Sequence, residues 1–365
     1  MQLNRRSFLK ASAAVPLSFG ISRIGNAHAA FTPKAGAWAD FEITTRVQVE
    51  KPAGVTQAWV PVPSVNQPDW FKSLDSAWTS NGSASLQRDA TSGAEFVHVT
   101  WAEGEAAPVM EVVSRISTRG RAAVFGGAGT APALSDEERA LYTAGTELIP
   151  VNGIVKETAD RITAGMTHDI DKARVIYEWV VDNTYRDAKT RGCGVGDVAM
   201  MLETGKLYGK CADLNALYVG LARASGLPAR DIYGIRVAPS AFGYQCLGAN
   251  SPTVTKSQHC RAETYLSGLG WIATDPADVL KVALEEGPGN LPKTDPKVVD
   301  ARSALFGSWE GNWLAYNFAH DVVLPGSQGP KLGFLMYPQV ECGPNRLDCV
   351  DPDTVKYSIT ARALG

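Results

Sequence analysis

Gly209-Lys210-Cys211-Ala212-Asp213-Leu214-Asn215-Ala216-Leu217-Tyr218-Val219-Gly220-Leu221-Ala222-Arg223-Ala224-Ser225-Gly226-Leu227-Pro228 reads as a helix with a cysteine at its start. Leu214, Leu217, Tyr218 and Leu221 recur at helical spacing, Gly226 stops the pattern and Pro228 follows it. The spacing predicts a helix from Cys211 to about Ser225. Its first turn carries unpaired backbone N–H groups and the positive end of the helix dipole, both of which favour an anion. A thiolate, unlike a thiol, attacks carbonyls, so Cys211 stands where a nucleophile is favoured. Gly209 lets the chain turn sharply and lets a substrate backbone approach. Asp213 is expected to cap or charge the first turn, worth ~0.5 kcal/mol. A lone cysteine is usually a packing residue, so its partners must carry the argument.

A nucleophilic thiol needs an imidazole to exchange its proton and a carboxylate or amide to orient that imidazole. Beyond the first thirty residues the histidines are His98, His168, His259 and His320. His98 falls in a β-patterned region away from the cysteine, His168 is expected in an exposed turn or cap, and His320 beside Asp321 suggests a structural hydrogen bond. His259 opens the strand His259-Cys260-Arg261-Ala262-Glu263-Thr264-Tyr265-Leu266, 48 positions after the cysteine. Ser267-Gly268-Leu269-Gly270 turns the chain into Trp271-Ile272-Ala273-Thr274-Asp275. Side chains alternate along a strand, so an even-membered turn would put His259 and Asp275 on opposite faces. An odd-membered turn or a bulge puts them on one face, and Gly268 and Gly270 permit either. Arg261 and Glu263 share the His259 face and are expected to form a structural ion pair beside the site.

Gly209 through Leu214, then Leu221 through Arg230, resemble the cysteine-helix motif of the transglutaminase-like superfamily. His259 to Glu263 with Tyr265, then Gly270 to Pro276, are similar to its histidine and aspartate motifs. Three ordered motifs span about residues 170 to 280. The resemblance implies a papain-like fold and a Cys211–His259–Asp275 triad. Cys260-Arg261 departs from the small residue and aromatic that the family often carries, which bears on groove shape. The first oxyanion donor would be the Cys211 backbone N–H. The resemblance suggests Tyr185 as the second, with Gln258, beside the histidine, as the rival.

Outward from this centre the periodicity changes. Val175, Ile176, Trp179 and Val180 form a helical stripe, with Asp169 and Asp171 near its start. Ile232 to Val237 reads as a strand. From Ala37 to about Val124 the pattern is period two, as in Phe41, Ile43, Thr45, Val47 and Val49 or Val97, Val99 and Trp101. This predicts an antiparallel sandwich-type β domain over residues 30–130, closed by the linker Gly126 to Pro132. The α+β catalytic unit, helices packed on an antiparallel sheet, is expected over 131–300. An aromatic-rich tail, 301–365, with Phe306, Trp309, Trp313, Tyr316 and Phe318, is expected to pack on that core as a β extension.

The chain has 365 residues, 45% hydrophobic and 20% charged, with formal net charge −3. That suits a globular protein of more than one core and excludes the basic stripe of a nucleic-acid binder. No apolar run after the N-terminus approaches the ~20 residues of a membrane span, so no stable membrane anchor is expected. Asn4-Arg5-Arg6-Ser7-Phe8-Leu9-Lys10, the weakly apolar Ala11 to Ile21, and Ala27-His28-Ala29 resemble a twin-arginine signal over residues 1–29. That implies the twin-arginine export machinery and signal peptidase as partners, cleavage after Ala29, and a periplasmic or secreted protein. Six cysteines then enter an oxidising compartment. Cys342 and Cys349 bracket the turn Gly343-Pro344-Asn345-Arg346 and are expected to pair, whereas Cys193, Cys246 and Cys260 have no assignable partner. Their spacing gives no zinc motif and no acidic loop matches a calcium hand, so neither metal nor cofactor is expected. The expected chemistry is acyl transfer from a peptide or protein amide through a Cys211 thioester, with hydrolysis favoured over protein crosslinking. The reading from a different class is a non-catalytic envelope binding module, in which Cys211 would be disulfide-bonded or buried.

Overall fold

The computed structural model describes residues 30–126, 129–351 and 355–365. The expected signal, residues 1–29, lies outside the described residues, as do positions 127 and 128 of the expected linker. Among the described residues, seven α-helices and several antiparallel sheets make an α+β protein, helices packed on an antiparallel sheet, with a sheet-rich N-terminal region. The helices are α1 (Asp136–Thr143), α2 (Gly153–Ile162), α3 (Asp169–Asn183), α4 (Val198–Thr204), α5 (Cys211–Ala224), α6 (Pro276–Glu285) and α7 (Pro296–Ala304).

Every residue of α5 is buried. A helix apolar on one face only could not sit there, and the Ala, Leu and Val content of α5 on all sides is what lets it serve as the central rod. It lies between α2, α3 and α6 and the strands Ala229–Arg236 and Gln258–Leu266. Those strands belong to a four-stranded antiparallel sheet, in the order Gly270–Thr274, Gln258–Leu266, Ala229–Arg236, Trp313–Asn317. In α3 the buried stripe is Ala173, Ile176, Tyr177, Val180 and Val181. It shares Ile176 and Val180 with the expected stripe but turns Val175 and Trp179 toward partial exposure.

The N-terminal strands form two five-stranded sheets. Phe41, Ile43, Thr45 and Val47 are buried while their neighbours are not, as the alternation requires. Neither sheet is made by the N-terminal segment alone. Lys356–Leu364 pairs with Ala39–Gln48 along its whole length, and Gln339–Cys342 pairs with Thr56–Val62. The tail expected to pack on the core therefore divides: Trp313–Asn317 extends the core sheet, and the last strands complete the sandwich. An unpaired sheet edge leaves a row of free backbone groups, which these late strands satisfy.

The expected Cys342–Cys349 disulfide is absent, and all six thiols are free. Cys342 packs into the sandwich interior with Val47, Val60 and Val97. Cys349 packs instead with Cys193, Tyr337 and Tyr357, so the short loop between the two carries them into different layers.

Candidate active site

The hairpin joining Gln258–Leu266 to Gly270–Thr274 settles which faces its residues share. Leu266 is opposite Gly270 and Ala262 opposite Thr274, so the loop Ser267–Leu269 has three residues. Gly268 and Gly270 both have positive φ, 77° and 78°, which an L side chain rarely adopts. An odd loop puts His259 and Asp275 on the same face. Asp275 lies one residue past the strand, as the N-cap of α6, and its carboxylate accepts the Asp278 N–H at 3.1 Å.

His259 Nε2 is 2.7 Å from Asp275 Oδ2, and both side chains are fully buried. A second carboxylate, Asp278 Oδ1, lies 3.3 Å from the same nitrogen and is paired with buried Arg236 at 2.5 Å. Burial and Arg236 oppose charge on the imidazole. Asp278 and Asp275 outweigh them and raise His259 to about 9. On Asp275, burial and the Asp278 charge push the carboxyl up, while His259 holds it down.

Cys211 is in hydrogen-bonding contact with His259, so the structure brings the three expected triad members together. The thiols of Cys193 and Cys260 also hydrogen-bond to the Cys211 sulfur. These two bonds, against burial and with His259 adding, hold Cys211 well below the ordinary thiol range. Cys193 and Cys260 are themselves pushed well above it, Cys193 mainly by its bond to Cys211 and Cys260 mainly by burial. The arrangement favours a thiolate beside two thiols and facing the imidazole, and the Cys193 thiol also donates to the Gln258 carbonyl oxygen at 3.5 Å.

Local sequence fixes the thiolate in place. Asp213 accepts the backbone N–H groups of Lys210, Val195 and Gly196, each at 2.9 Å, which ties the loop before α4 to the start of α5. A Cβ on Gly209 would come within 2.1 Å of the Asp213 carboxylate, and one on Gly194 within 1.8 Å, so both positions require glycine. The Ala212 N–H donates to Cys193 O at 2.9 Å, which holds the second thiol beside the first.

Asn215, one turn after Cys211 on α5, donates to Asp275 Oδ1 at 3.2 Å and to Cys260 O at 2.8 Å, and accepts the Ala277 N–H at 3.3 Å. Asn215, Arg236 and Asp278 were not singled out from sequence. Asn215 follows Cys211 by four residues, the helical interval that puts two side chains on one face, and was the available signal.

Arg261 and Glu263 do not pair with each other. Glu263 is held by Arg230 at 2.7 Å and by Arg121. Arg261 donates to Glu310 O at 3.0 Å and lies over the rings of Trp309 and Trp313. His98 stacks on Trp59 in the sandwich, and His168 stands at the N-cap of α3. His320 turns away from Asp321 and approaches Asp231 at 3.4 Å.

Cys211 and His259 line a cleft of about 530 Å³ whose wall includes Arg186, Lys210, Gln258 and Tyr337. Tyr185 is not on that wall: it is 57% exposed, and its ring stacks on Tyr208, 5.2 Å away. Gln258 is on it. Its amide nitrogen is buried with no acceptor at hydrogen-bond distance among the described residues.

His259, Asp275 and Asp278 offer three ligand-type atoms within 4.8 Å of one another. Nε2 is already bonded to Asp275, and Asp278 to Arg236, so a cation there would have to displace the imidazole proton and compete with a guanidinium. The donor set suits a held proton better than a metal ion.

A family model for the transglutaminase-like superfamily matches residues 156–276, the segment that carries Cys211, His259 and Asp275. An uncharacterized protein of Haemophilus influenzae is 36% identical over 327 residues, covering 85% of this chain and 87% of that protein. Residues 156–276 belong to the transglutaminase-like superfamily. Among solved structures, a candidate cysteine protease of Cytophaga hutchinsonii aligns over 90% of this chain and all of its own. Its TM-score is 0.50 at 15% identity, a likeness of fold. Membership in this superfamily and the cleft together support a general cysteine-dependent acyl-transfer or protease role. No helix among the described residues is long and apolar enough to cross a membrane.

Proposed function

We propose that the protein is an exported cysteine hydrolase that cleaves an amide through a Cys211 thioester. The observation that carries the reading is the buried Cys211–His259–Asp275 array opening onto one cleft. In the first step the Cys211 sulfur bonds to the amide carbonyl carbon. The His259 imidazolium gives its proton to the departing amine as the C–N bond breaks. In the second step His259 takes a proton from water, whose oxygen displaces the sulfur and releases a carboxylic acid. Asp275 and Asp278 keep the imidazole oriented throughout and favour its charged form before the first step and after the second. The Cys211 backbone N–H and the Gln258 amide are the donors assigned to the developing oxyanion. Tyr185 has no part in this reading.

Water is favoured as the acceptor because Arg186, Lys210, Lys256 and Lys281 around the cleft repel a lysine ammonium. The binding-module reading also finds one point of support, since Cys211 is only 3% exposed. That sulfur nevertheless forms part of the cleft lining and carries no disulfide. Export rests on the twin-arginine resemblance of residues 1–29.

A peptidyl chloromethyl ketone, read by mass spectrometry at pH 7, tests the proposal. Stoichiometric alkylation at residue 211, lost in Cys211→Ala and slowed at least tenfold in His259→Gln, is the expected result. Equal labelling of wild type and Cys211→Ala overturns it.

A further inference from the structure

The chain is acidic as a whole, with formal net charge −3, yet the wall of its cleft is not. Five lining side chains are cationic, Arg186, Lys210, Arg236, Lys256 and Lys281, against one carboxylate, Glu285. Arg236 is committed to Asp278, so that pair adds no net charge. Arg186 and Lys281 share Glu285, leaving one positive charge between them. Lys210 and Lys256 have no carboxylate within ion-pair distance among the described residues. Asp275 balances the His259 imidazolium and the Cys211 thiolate offsets one charge more, so the cleft carries an excess of about two positive charges.

The placement of these charges is as telling as their number. Lys210 immediately precedes the nucleophile, and Lys256 stands three residues before His259, so the two flank the reacting groups from different elements. Lys281 is largely buried, and desolvation pulls its ammonium below the ordinary lysine range. Burying a cation beside Arg236 costs free energy that an incoming anion would recover. Mutual repulsion among these groups is unfavourable until something negative enters, and a low-dielectric wall strengthens the attraction when it does.

We infer that the substrate is an acidic peptide, one with a carboxylate side chain next to the scissile amide, recognised by Lys210, Lys256 and the Arg186–Lys281 pair. This rests on the thioester reading above and adds the substrate class to it. It gives the cationic wall a role beyond excluding amine acceptors: it concentrates an anionic peptide over Cys211.

The test compares two peptidyl chloromethyl ketones of identical length that differ only in Glu or Gln beside the reactive group, using the full chain. The expected result is alkylation of Cys211 at least tenfold faster with the Glu probe at low salt. Added potassium chloride should shrink that preference, since screening acts on charge alone. In Lys256→Gln, an exposed position whose change should leave the fold intact, the preference should fall severalfold, and in Lys256→Glu it should fall further. Equal rates for the two probes, or a Gln preference, overturn the inference while leaving the thioester reading intact. Labelling that is indifferent to Cys211→Ala overturns both.

Discussion

The proton on the Cys211–His259 pair can be counted by stability, and the count distinguishes an ion pair from a neutral one. Between about pH 6.5 and 8.5 the unfolded chain holds one proton on these two residues, on the thiol. The native pair also holds one, on the imidazole, because His259 is raised to about 9 and Cys211 is depressed. Taken singly, the groups act in opposite directions. The raised His259 stabilises fully below its unfolded value and loses that contribution as pH climbs through about 9. The depressed Cys211 contributes fully above its unfolded value and loses that contribution as pH falls through its folded one. In the shared window the slopes cancel, so the pair adds no pH dependence to wild-type stability.

Cys211→Ala removes one half of that cancellation. The groups that raise His259, Asp278 and Asp275, remain in place. The native state then holds a proton that the unfolded state lacks. Stability relative to wild type should fall by roughly 1.4 kcal/mol per pH unit, or about 3 kcal/mol in total between pH 6.5 and 8.5. Guanidinium unfolding of both proteins in reductant at several pH values reads the difference, with all other titrating groups common to both. Parallel curves for the two proteins across that window would refute the ion-pair assignment.

Three further outcomes follow from the site. Cys193→Ala removes a thiol proton from the Cys211 sulfur, so the pH midpoint of Cys211 alkylation should move up by about one unit or more, and Cys193→Ser, which keeps a donor, should restore most of it. Arg236→Gln leaves the Asp278 carboxylate buried without its partner and should cost about 3–5 kcal/mol of stability, part of which Asp278→Asn recovers in the double variant. Gln258→Leu should lower kcat about a hundredfold, as loss of an oxyanion donor does, while Tyr185→Phe should change it less than about threefold, and steady-state rates on one peptide separate the two.

Local signals in the sequence carried far. The start of α5 was legible because Cys211, the leucine spacing, Gly226 and Pro228 all act within a few turns of chain. The strands around His259 and Asp275 were legible for the same reason, but the shared face was not. It hangs on whether the loop has two residues or three, and Gly268 and Gly270 allow both. Asn215, Arg236 and Asp278 escaped notice because each reads as an ordinary polar residue of its own element. Only the packing of α5, α6 and the sheet brings them onto Asp275 and His259. The tail was misplaced because the pairing of Lys356–Leu364 with Ala39–Gln48 joins segments some three hundred positions apart, where periodicity shows that a strand exists but not what it pairs with. Cys342 and Cys349 were close in sequence and flanked a turn, yet the strand before that turn points Cys342 into the sandwich.

The central claim is that Cys211 is already ionised at neutral pH, and thiolate absorbance near 240 nm measures it most directly. The difference spectrum between wild type and Cys211→Ala should show one thiolate present at pH 6 to 7. A thiolate that appears only as pH passes the ordinary thiol value, about 8.5, would contradict the account.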